Sequence, residues 1–248
     1  MHKSIGYVEC QDCSLDPLCH PAFPADSPFA IGSFNYVLDN MERRKAVSAG
    51  TPIYQQDDPV KAIYAVTSGA FKLLKGDTPE SAKLSGFRFQ GELLGDEALS
   101  SPIHPMSAIA LSDASVCIIP IEVIQNIGKA MPEFQQAFLT LIMNQCSLAH
   151  QQFSDFVALK SADQKLAAFL LNLNTRHSHI SQDSETILLQ MSKLDIASYL
   201  GLRHETLSRT LSKFQKHGLI QLNGKRITLE NHSKLTMLAS GNDTFILN

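Results

Sequence analysis

Cys10, Cys13 and Cys19 are spaced C-x2-C-x5-C close to the start of the 248-residue chain. Thiolates are soft ligands, suited to iron held with sulfide in a cluster and to zinc. A short arm carrying three of them can wrap one side of a cubane and needs a fourth ligand from elsewhere. A four-cysteine zinc site would take the same ligands, although structural zinc usually shows two C-x2-C pairs. His20, next to Cys19, is an alternative ligand or a solvated loop residue. Two more cysteines, Cys117 and Cys146, make an odd total of five, which argues against a framework of structural disulfides.

A second constellation lies near the other end. Ser192-Lys193-Leu194-Asp195 opens a helix with a capping-box pattern. Gly201-Leu202 turns the chain, and a second helix runs from about His204 to His217 with Gly218 at its end. Leu207, Leu211 and Phe214 recur at i, i+4, i+7 and must face a core. Glu205, Ser208 and Arg209 share another, exposed face. Arg can pair with guanine O6 and N7, Glu can accept from the cytosine amino group, and Ser can do either at short range. Arg203, Thr206, Lys213 and Lys216 are placed for the phosphate backbone, where cations supply affinity. Asn223-Gly224 between two apolar runs signals a hairpin, so a β wing should follow the second helix. A solvated helix of mixed charge is the plain alternative. Helix, turn, helix and wing in that order argue for a winged helix-turn-helix. His204-Glu205 lacks the second histidine that a zinc-protease helix needs, since Ser208 stands there.

These groups need elements to position them. Residues 29–120 read as short strands, at 53–54, 62–66, 71–74, 108–111 and 116–119. Gly50, Gly69, Gly76, Gly86, Gly91 and Gly95 punctuate them, as in a small β barrel or roll. Residues 121–130 suit a short helix. Pro132 suits the first turn of a long one over 133–158, about 39 Å at 1.5 Å per residue. Leu139, Ile142, Cys146, Ala149, Phe153 and Phe156 follow the spacing of a coiled-coil seam, so that helix should pair with a second copy. Packing on its own domain is the alternative. Cys146 on that seam is either a small packing residue or a thiol that can pair with its twin under oxidation.

The expected division is an arm (1–28), a β roll (29–120), a dimer helix (121–160), a winged helix-turn-helix domain (161–240) and a tail (241–248). Charge follows the same line. Residues 1–159 hold 10 Lys+Arg and 17 Asp+Glu, whereas residues 160–248 hold 11 and 7, an acidic body and a basic module. No apolar run is long enough to cross a bilayer and no signal-peptide core is present, so the expectation is a cytoplasmic protein without membrane contact. No G-x-G-x-x-G, P-loop or G-x-S-x-G motif is present, so an enzyme is not expected, nor an electron-transfer subunit with a second redox site.

The chain resembles the CRP/FNR family of transcription regulators over nearly its whole length. The carriers are Cys10-Gln11-Asp12-Cys13 with Cys19, Gly91-Glu92-Leu93-Leu94-Gly95, Gly128-Lys129-Ala130-Met131-Pro132, Leu166-Ala167-Ala168-Phe169, Tyr199-Leu200-Gly201-Leu202 and Glu205-Thr206-Leu207-Ser208-Arg209. The resemblance implies an α+β fold with an N-terminal cyclic-nucleotide-binding-like β-roll, a long dimerisation helix and a C-terminal winged helix-turn-helix. It implies a homodimer on double-stranded DNA that also meets RNA polymerase. Glu205, Ser208 and Arg209 would read a TTGAT–N4–ATCAA palindrome. Cys117 is similar in position to the fourth cluster ligand of the oxygen-sensing members, which implies a 4Fe–4S cluster degraded by oxygen. A cluster-free regulator sensing by thiol oxidation or another ligand is the alternative.

Three positions depart from the family pattern. Members that bind cyclic nucleotides carry an Arg-Ser pair shortly after the Gly-Glu-Leu stretch, whereas His104-Pro105-Met106-Ser107 has no Arg, so no cyclic nucleotide is expected. Arg203 stands where a Ser or Thr cap is usual, a loss of ~1 kcal/mol that a phosphate contact could offset. Ala149 stands where related proteins place a seam acid, so the cluster-free dimer should be stronger than usual. Thr78-Pro79-Glu80 is a candidate polymerase contact or a plain surface turn.

Overall fold

The computed structural model describes residues 41–76, 82–96, 99–130, 132–159, 161–178 and 186–241. The arm at 1–28, with Cys10, Cys13, Cys19 and His20, lies outside these residues, as does the 78–80 turn. The chain divides into two compact units, Met1–Cys146 and Ser147–Asn248.

The first unit is a roll of two four-stranded sheets. One has the order β1-β8-β3-β6, from Glu42–Val47, Ala114–Pro120, Ala62–Ser68 and Leu93–Leu94. The other has the order β2-β7-β4-β5, from Pro52–Tyr54, Ser107–Ala110, Ala70–Lys75 and Lys83–Phe89. The expected β-roll is therefore present, with three strands beyond those legible in the sequence. β1 is a polar edge strand with five exposed residues in a row, so it lacks the alternation that marks a half-buried strand. β5 carries Gly86 in its interior, opposite Leu73 beside a bulge, so a glycine read as a turn signal is a strand residue. β6 has only two residues.

β3 and β8, at the centre of the first sheet, are buried on both faces, and alternation along each strand sends their side chains into two cores. Val66, Leu94 and Val116 point into the core between the sheets, with Phe71, Leu73 and Ala108. Ile63, Ala65, Leu93 and Ile119 point the other way, into a second cluster with Met41, Val123 and Phe134. That outer cluster seats helix α1 (Ile121–Ala130) and the start of helix α2 (Pro132–Ala158).

The second unit holds α3 (Ala162–Ser178), β9 (Thr186–Leu188), α4 (Lys193–Leu200), α5 (His204–Lys216), β10 (Ile220–Asn223), β11 (Arg226–Leu229) and α6 (His232–Ala239). α3 is 17 residues long. β10, β11 and β9 form a three-stranded antiparallel sheet in that order. The hairpin expected at Asn223-Gly224 closes one residue later. Asn223 pairs with Arg226, which leaves Gly224 and Lys225 as the loop. Gly224 has φ +61. A glycine with positive φ at the first loop position is what a II′ turn asks for, so the tight turn needs only Gly224 to leave the usual backbone region.

Candidate nucleic-acid interface and cysteine wall

Both helices of the helix-turn-helix are shaped by local chemistry. The Ser192 hydroxyl accepts from the Asp195 N–H at 3.0 Å, and the Asp195 carboxylate accepts from the Ser192 N–H at 3.2 Å, a closed capping box. α4 ends where Gly201 takes φ +63, with Leu202 N–H bonded to Ala197 O at 2.9 Å and Gly201 N–H to Ser198 O at 3.1 Å. α5 ends in the same way. Leu219 N–H reaches Phe214 O at 2.9 Å and Gly218 N–H reaches Gln215 O at 3.0 Å. Both ends are Schellman motifs, which satisfy orphan carbonyls and turn the chain sharply. The Lys165 ammonium, from α3, donates to Leu200 O at 3.2 Å and takes up another carbonyl at the end of α4.

Leu207, Leu211 and Phe214 are buried and fix the rotation of α5. Glu205 and Arg209 are then exposed and Ser208 half-buried, on the opposite side of the helix. Arg203 precedes α5 in an extended conformation with no side-chain cap bond, so the expected loss of a cap is visible. Arg203 and Lys216 are exposed and Thr206 is half-buried. Lys213 has a partner that its sequence position gave no sign of, the Asp163 carboxylate of α3 at 2.8 Å.

Cys117 is half-buried on β8, with its side chain in the outer cluster rather than between the sheets. Its row across the sheet is informative. Cys117 pairs with Ala65, and Ala65 pairs with Leu93. On the other side, β1 bulges between Glu42 and Lys45, so Arg43 and Arg44 are the β1 residues opposite Cys117. Arg44 takes φ +54 there. Both arginines are exposed cations at the edge of the cysteine wall, and sequence reading passed over them. No group of three metal-ligating side chains occurs among the described residues.

α2 has two apolar faces. Phe134, Ala137, Phe138, Leu141 and Ile142 pack on the outer cluster of the roll. Leu139 and Met143 stay 55% and 66% exposed, with exposed Cys146 one turn on and exposed Ala149 after it. Of the expected seam, Leu139, Cys146 and Ala149 thus share exposure with Met143, which was not singled out, while Ile142 is half-buried against the roll. The side chains of Phe153 and Phe156 lie outside the described residues.

In the stretch where an Arg was missing, His104 is 1% exposed and stacks on Tyr54, ring centroids 3.8 Å apart. Tyr54 in turn accepts from Gly95 N–H at 3.0 Å, and the Ser107 hydroxyl accepts from Gln56 N–H at 2.8 Å. Burial and then the charge of Asp58 push the Tyr64 phenol up.

A Crp-like helix-turn-helix domain model matches residues 164–238, and a cyclic nucleotide-binding domain model matches residues 44–130. The fumarate and nitrate reduction regulatory protein of Escherichia coli K12 is 34% identical over 94% of this chain and 90% of its own length. The chain belongs to the CRP/FNR family. The Vibrio cholerae protein of the same name is 33% identical, again over 94% of this chain and 90% of its own. Among solved structures, FixK2 from Bradyrhizobium japonicum is 25% identical and superposes with a TM-score of 0.70 over 79% of this chain and 96% of its own. A putative CRP/FNR-family regulator from Eubacterium rectale, at 22% identity and a TM-score of 0.61 over 88% of this chain and 98% of its own, shares the fold. As a CRP/FNR protein the chain is a DNA-binding transcription regulator, and members of the family act as dimers. Among the described residues no helix is long and apolar enough to cross a membrane.

Proposed function

We propose that this regulator senses oxygen through a 4Fe–4S cluster held by Cys10, Cys13, Cys19 and Cys117, and that it binds a TTGAT–N4–ATCAA-like palindrome as a homodimer in the cytoplasm. The observation that carries the reading is the setting of Cys117. It is half-buried on the outer face of β8, in the same cluster as Met41, the first described residue, and as Phe134 at the start of α2. A thiolate there is partly exposed and packed on one side by the outer cluster, and four soft donors of one kind suit iron and sulfide. The cluster, when bound, supplies a centre that oxygen destroys. Exposed Arg43 and Arg44 opposite Cys117 offer positive charge to an anionic set of thiolates.

The chain's own residues supply the rest. Cys10, Cys13 and Cys19 would hold the cluster together with Cys117, and their ligation would tie the arm to the wall on which α2 starts. α2 offers Leu139, Met143 and Cys146 to the second copy, and two-fold symmetry sets the recognition helices one DNA turn apart. Glu205, Ser208 and Arg209 read base edges, while Arg203, Thr206 and Lys216 hold phosphates. Cyclic nucleotide is not the effector in this reading. No cation stands in the 104–107 stretch to pair a phosphate, and His104 and Ser107 are engaged with Tyr54 and Gln56. Contact with RNA polymerase and a role without catalysis belong to the same reading and are supported by the family.

The test is anaerobic purification with an absorption spectrum and iron and sulfide assays, repeated after exposure to air. About four irons and four sulfides per chain, with a broad visible band that bleaches in air, is the expected result. A protein without iron that still binds the palindrome would overturn the cluster and leave a thiol- or ligand-sensing regulator.

A further inference from the structure

α2 is held to the roll by apolar packing up to Ile142 and then by one polar side chain. The Gln145 amide grips the backbone of Leu93 at both polar atoms. Its Oε1 accepts from Leu93 N–H at 3.3 Å and its Nε2 donates to Leu93 O at 3.3 Å. The same Nε2 donates to the Asp96 carboxylate at 2.6 Å. Arg88 closes the group from below. Its Nε donates to Leu93 O at 3.1 Å, and its Nη2 lies 3.9 Å from Asp96.

Two placements give this latch meaning. Leu93 stands two strands from Cys117 in one row of the sheet, with Ala65 between, about 10 Å at the usual strand spacing. Gln145 stands beside Cys146, the last residue of the first unit, and two residues past Met143 on the exposed apolar face. Apolar packing is non-directional, so it sets the rotation of a helix less sharply than hydrogen bonds to a fixed backbone.

We propose that Gln145 is a positioning residue of the dimer switch. Its bonds to Leu93 and Asp96 set the rotation of α2 on the roll, so that Leu139, Met143 and Cys146 face a second copy. The inference rests on the homodimer reading above.

The test uses the full-length protein, purified anaerobically, with its monomer–dimer equilibrium measured by sedimentation and the melting of the roll followed by circular dichroism. Gln145→Glu removes the donor and sets two carboxylates against each other. It is expected to raise the dimer dissociation constant at least about tenfold. Adding Asp96→Asn supplies a donor from the other side and is expected to restore most of the loss. Gln145→Leu, which adds no charge, should weaken the dimer without rescue by Asp96→Asn. Unchanged dimerisation of both Gln145 variants, or no rescue in the double variant, overturns the latch. A wild-type protein that sediments as a monomer while still binding DNA overturns the homodimer reading itself and the latch with it.

Discussion

The Lys213 ammonium sits 2.8 Å from the Asp163 carboxylate, joining the recognition helix to the first helix of its unit. A lysine on the basic side of a recognition helix would ordinarily be assigned to a phosphate. Each phosphate contact contributes roughly one to the slope of log affinity against log salt. With its charge engaged by Asp163, Lys213→Met should leave that slope unchanged. Lys216→Met, at an exposed site, should lower the slope by about one. Titrations at several salt concentrations separate the two. The half-exposed pair itself should contribute at most about 1 kcal/mol to stability.

Arg209→Ala should cost about 1–3 kcal/mol on the TTGAT palindrome and relax preference at one base pair of each half-site. Binding to sites mutated one base at a time reads this directly. An even loss across all sites would mean that Arg209 meets only the backbone.

Arg203 leaves α5 without a side-chain cap, and in the proposed reading it holds a phosphate. Replacing it with Thr supplies the cap that α5 lacks and should raise the melting point of the DNA-binding unit, by up to about 1 kcal/mol in stability. The same change should weaken DNA binding and lower its salt slope. Ser192→Ala, which breaks the closed capping box of α4, should cost about 1 kcal/mol and act mainly on stability.

Cys117→Ser should leave the fold of the roll intact, since the side chain is half-buried and the change is small, while the iron content after anaerobic purification falls close to zero. Cys146→Ser should leave iron content as in the wild type. Equal loss in both variants would point to general instability instead of ligation.

Ala149 is exposed on α2 and carries no charge to oppose pairing. Cluster-free wild-type protein should therefore keep a dimer population at micromolar concentration, and Ala149→Asp should shift it towards monomer. Sedimentation in air reads both. A clean monomer for the cluster-free wild type would contradict the expectation.

What the sequence determined by itself was everything with a local cause. The capping box at Ser192, the turn at Gly201, the buried triplet of α5 and the start of α2 at Pro132 are each written within a few residues, so elements and their faces could be read directly. The regulator family was legible for the same reason, since its motifs are short and contiguous. Only the tertiary structure decided what depends on distant partners. β1 became a strand because β8 pairs with it, not because its own pattern alternates, and Gly86 lies inside β5 because β4 pairs with it. Ile142 and Met143 divided between roll and surface because α2 has a roll on one side. Lys213 met Asp163 from 50 residues away and Gln145 met Leu93 from 52, and neither residue type signals such a partner. Hydrogen bonds and ion pairs between remote segments are set by where the packed core brings the backbone, and that information is spread over the whole chain.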